Sequence, residues 1–152
     1  MKKTILFILG YVLMCCSQLL NAQTNTGTLL EAKMDEAEIY LNKTQNTPKA
    51  WKLAVEISKL IKEHPEYDDG EFAEGMIDVV SKLLTKPWNY ASPYLTGNKS
   101  TAAFRQFVID HINELTDPED LKAIKKNILK NCDRTKHLIC RQLIAKIQRS
   151  MP

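Results

Sequence analysis

Apolar residues recur along this chain at the three- and four-residue spacing of helix faces and almost nowhere at the alternation of strands. Leu30, Met34, Ala37 and Leu41 trace a first helix that begins near Thr28 and ends in the polar stretch 42–46. Thr47-Pro48 opens a second helix with a capping hydroxyl followed by a proline, whose missing N–H costs nothing in the first turn. Its stripe is Leu53, Ala54, Ile57, Leu60 and Ile61, widened by Trp51 and Val55, and His64-Pro65 ends it. A third helix runs from about Glu71, with Phe72, Met76, Val79, Val80 and Leu83 inward, and stops at Lys86-Pro87.

Residues 86–99 carry Pro87, Pro93 and Gly97 and read as a long irregular loop, a type of segment that is often functional. Phe104, Phe107, Val108, Ile112 and Leu115 mark a fourth helix. Asp117-Pro118 starts a fifth, with Asp117 as cap and the stripe Leu121, Ile124, Ile128 leading to Cys132. Asp133 is placed to cap a sixth, whose stripe is Cys140, Leu143, Ile144 and Ile147. The expected fold is all-α: one domain, 23–152, of five or six short helices packed as antiparallel hairpins, either a small bundle or a short helical-repeat-like stack. The similar openings Thr47-Pro48-x-x-Trp51-Lys52 and Asp117-Pro118-x-x-Leu121-Lys122 suggest two related helical hairpins, although two examples do not make a repeat.

The first residues change the picture of where such a domain works. Met1-Lys2-Lys3, the apolar run Ile5 to Met14 and the small residue Ala22 have the layout of a secretory signal peptide, 1–22, cleaved after Ala22. The apolar run is too short for a transmembrane helix, which needs about 20 residues. A lipid-anchored form on Cys15 or Cys16 is the alternative, although Val12-Leu13-Met14 lacks the small residues usual before such a cysteine. The reading is therefore an exported protein, periplasmic or extracellular, with no transmembrane segment after cleavage. Two cysteines then remain, Cys132 and Cys140, and in an oxidising compartment they are read as a disulfide across the turn between the last two helices.

Charge divides unevenly. Residues 23–78 hold 12 acidic and 6 basic side chains, a net of −6, whereas 79–152 hold 6 acidic and 13 basic, a net of +7. The densest acidic run contains Glu66, Asp68, Asp69, Glu71, Glu74 and Asp78. It reads either as a solvated face or as a surface for a basic protein, where clustered charge speeds association and sets specificity. Its fit to a calcium loop is poor, because ligands at alternating positions and a distal Glu are missing. Trp88, Tyr90 and Tyr94 are residues of the kind that either anchor an interface or pin a loop to a core. The ridge Lys122, Lys126, Lys130 lacks the aromatic residues that nucleic-acid stacking needs, so no nucleic-acid partner is expected.

No catalytic residue, metal site or cofactor is assigned. His64, His111 and His137 are too far apart for paired metal ligands on one helix, and Cys140 with His137 lacks a third orienting residue. The functional expectation is a non-enzymatic protein-binding module, such as an inhibitor or a toxin-neutralising immunity protein, using Glu66, Asp68, Asp69, Glu71, Glu74, Asp78, Trp88, Tyr90 and Tyr94. A structural or adaptor protein of the cell envelope and a carboxylate-based enzyme are the alternatives.

Overall fold

The computed structural model describes residues 26–43 and 46–151. The expected leader, 1–22, and the alternative anchor cysteines Cys15 and Cys16 lie outside these residues. Among the described residues the chain is all-helical, with seven α-helices and no strand. Helix α1 covers residues 26–38 and passes into a π-helical turn, Ile39–Lys43. It is followed by α2, Thr47–Glu63, and by α3, Gly70–Thr85, with a short 3-10 turn Pro65–Tyr67 between them. The remaining helices are α4, Trp88–Leu95; α5, Ala102–Asp110; α6, Pro118–Asn131; and α7, Leu138–Ser150. None of them is long and apolar enough to cross a membrane.

The expected apolar stripes form one core. Leu30 and Ala37 of α1, Leu41 of the π-helical turn, Trp51, Ala54 and Ile57 of α2, and Met76, Val80 and Leu83 of α3 are buried together. Leu121, Ile124 and Ile128 of α6 and Leu143 and Ile147 of α7 complete it. Among helices α2 to α7, the most extensive contact joins α3 to α6, elements distant in sequence. It is fixed at one end by Asn127, whose side-chain amide donates to the carbonyls of Leu84 and Lys86, both at 2.8 Å. These are carbonyls at the end of α3, which have no partner within the helix.

The seventh helix, α4, occupies the segment expected to be a long loop. Trp88, Ala91, Tyr94 and Leu95 fall on one helical face and are all buried. Pro93 removes one intrahelical donor, and the Ser92 hydroxyl lies 3.5 Å from the carbonyl, on Asn89, that is left over. Gly97 closes the helix where a Cβ would stand 2.9 Å from the Pro93 Cα, so the chain can return over α4 only at a glycine. Trp51 stacks on Tyr94 at 5.4 Å between ring centroids and meets Phe104 edge-on at 6.1 Å, joining α2, α4 and α5.

Three helix ends differ from expectation. The cap of α2 is Asn46, which accepts from the Lys49 N–H, while Thr47 is buried inside the first turn. Helix α5 stops at Asp110, before Leu115, because Asn113 diverts the backbone. Its side-chain oxygen accepts the Leu115 N–H at 2.9 Å, and its own N–H donates to the Thr116 hydroxyl. Leu115, expected on an inward stripe, is 64% exposed. Asp133 does not cap α7 directly: it accepts from the Thr135 and Lys136 N–H groups, and the helix begins later, at Leu138. Asp117 caps α6 as the sequence implies, accepting from Glu119 and Asp120. Cys132 ends α6 and Cys140 lies in the first turn of α7, buried, at bonding distance and with Cα atoms 6.0 Å apart.

Candidate functional site

The acidic run on either side of Gly70 is divided by the fold into several local tasks. Glu66 pairs with His64 at 3.2 Å, and its carboxyl is held below the usual carboxylate range by a hydrogen bond from its own backbone and by that histidine. Asp68 reaches the Nε2 of His111 at 3.1 Å, and Asp69 caps α3 by accepting from the Gly70 N–H at 2.7 Å. Gly70 itself has φ +54°, the left-handed conformation that lets the chain turn into α3. Glu71 points into solvent from the first turn of that helix.

Glu74 and Asp78 lie farther along α3 and meet a second acidic stretch. With Ile77 and Ser81 they form one wall of a groove of about 470 Å³, and Glu114, Leu115, Thr116, Asp117 and Pro118 form the other. The α3–α6 contact brings these walls together, and the Asn113–Thr116 turn sets the height of the second wall. The Ser81 hydroxyl lies between the Asp78 carbonyl, 3.0 Å away, and the Asp120 carboxylate, 3.3 Å away. Asp78 is paired with Lys82, and Asp117 is occupied in capping α6. Glu74 and Glu114 have no ion-pair partner among the described residues. The exposed Leu115 side chain lines the second wall next to Glu114 as an apolar contact point.

Glu114 and Leu115 are site residues that the helical spacing concealed, since both fall inside the span expected for the fourth helix. The available signal was acidic density: Glu114, Asp117, Glu119 and Asp120 crowd seven positions. The expected aromatic residues are placed differently. Trp88 and Tyr94 are buried in the core, and only Tyr90, 37% exposed, reaches the surface.

Chemically, the groove offers carboxylates in water. A carboxylate pair for acid–base work needs one member held in apolar surroundings. Glu74 is exposed, and Asp78 is half-buried beside its lysine. Among the described residues, no cluster of three or more His, Cys, Asp or Glu side chains is arranged to hold a metal ion. No protein-family model, curated protein or solved structure matches the chain.

Proposed function

We propose that the chain is an exported, non-enzymatic protein-binding module whose acidic groove takes a basic surface of another protein, as an inhibitor or a toxin-neutralising immunity protein does. The observation that carries this reading is the placement of Glu74 and Glu114, each without an ion-pair partner among the described residues, on opposite walls of a groove with Leu115 exposed next to Glu114. Such charges accelerate encounter with a cationic partner and reject anionic ones. An apolar contact within the groove adds burial that charge alone does not supply. Export is supported by the leader-like first residues and by the cysteine pair, which suits an oxidising compartment.

Affinity purification of the tagged chain from its native host, followed by mass spectrometry, tests the reading. The expected result is a basic protein recovered in stoichiometric amount, with binding weakened at least ~10-fold by Glu74→Lys with Glu114→Lys. Recovery of a partner that tolerates both reversals would show that the groove is not the recognition surface.

A further inference from the structure

Helix α6 begins at the acidic groove with Pro118, and its next turns build a surface of opposite sign. Lys122, Lys125, Lys126 and Lys130 surround Leu129, with Met151 from the end of α7 beside them. Leu129 is 44% exposed, and no acidic residue lines the patch. Lys122 is tied to Glu119 at its edge, whereas Lys125, Lys126 and Lys130 have no ion-pair partner among the described residues.

We propose that this lysine-ringed face of α6 docks on an anionic phospholipid surface. The lysines stand on successive turns of one helix, so their ammonium groups can reach a flat array of phosphates together, while Leu129 and the lysine stems meet the acyl boundary. Charge complementarity selects the lipid, and the exposed leucine separates it from the other occupants. A soluble polyanion leaves Leu129 uncovered, and neither α6 nor α7 carries an aromatic residue on which nucleic-acid bases could stack. A two-fold contact between copies through this face would confront the four lysines of each with those of the other. On the function proposed above, the acidic groove at the start of α6 and the basic face along that helix then serve two different partners.

Co-sedimentation of the full chain with phosphatidylcholine vesicles, with and without phosphatidylglycerol, tests the proposal. The expected result is capture by the phosphatidylglycerol vesicles alone, released by salt as charges are screened. Each lysine near such a surface contributes about fivefold, so Lys126→Gln with Lys130→Gln should weaken capture about 25-fold. Leu129→Gln should also weaken it, while Lys52→Gln with Lys59→Gln on α2 should leave it unchanged; helical circular dichroism confirms that each variant is folded. Absence of capture at low salt, or capture that survives loss of Lys126 and Lys130, overturns the proposal. Heparin competition with no effect of Leu129→Gln would identify a polyanion site instead, and lysine-dependent self-association without vesicle binding would identify a second copy; either result overturns it.

Discussion

The His111 ring joins the acidic turn to the end of α5: its Nε2 lies 3.1 Å from the Asp68 carboxylate, 43 positions away in sequence. Its Nδ1 faces the Phe107 carbonyl at 2.8 Å, so both ring nitrogens lie against oxygen atoms. The ring is buried and rests against Phe107 at 4.3 Å between centroids, while Asp68 is open to solvent on its far side. This contact holds the turn before α3 against the body of the protein.

Asp68→Ala is expected to cost about 1 kcal/mol, a value kept small by the exposure of that carboxylate. His111→Ala is expected to cost about 2–4 kcal/mol, because it also empties a buried site. Denaturant unfolding of both single variants and the double variant measures the coupling. Purely additive costs would mean that the contact contributes nothing.

The buried aromatic residues of α4 give a second test. Tyr94→Ala removes the ring stacked on Trp51 and is expected to cost about 3–5 kcal/mol, whereas Tyr90→Ala should stay within about 0.5 kcal/mol. Similar costs for the two, measured by chemical denaturation, would refute the pinned helix.

Asp133 provides the pH dependence. Hydrogen bonds from the Thr135 side chain and backbone lower its pKa from 3.8 to about 2. A depressed folded-state pKa adds stability that is present above the unfolded value and is lost as pH falls through the folded one. The contribution is therefore complete above 3.8 and disappears by about 2. In urea unfolding followed across that window, Asp133→Asn should flatten the acid limb relative to the parent chain; parallel curves would contradict the assignment.

Sequence spacing reveals most of the core. The stripes of α1, α2, α3 and α6 are clear because each apolar face is continuous and bounded by a cap, a proline or a polar break. Helix α4 is hidden because Pro93 and Gly97 look like loop punctuation, and the face formed by Trp88, Ala91, Tyr94 and Leu95 becomes compelling only once Trp51 and Phe104 are seen to receive it. The turn after α5 is hidden for the opposite reason: Ile112 and Leu115 keep helical spacing through residues that Asn113 and Thr116 bend away. The acidic groove is least legible of all, since Glu74 and Glu114 lie 40 positions apart and meet only through tertiary packing.

The pairing of α3 with α6 also governs the order in which the molecule can close. Helix α3 packs extensively on α6, near the far end of the chain, and the clasp from Asn127 to Leu84 and Lys86 cannot form until α6 exists. During synthesis, a nascent chain that stops short of residue 121 lacks this partner for α3. Forming the groove therefore means bringing together two walls that α4 and α5 separate along the chain, a closure with its own entropic cost.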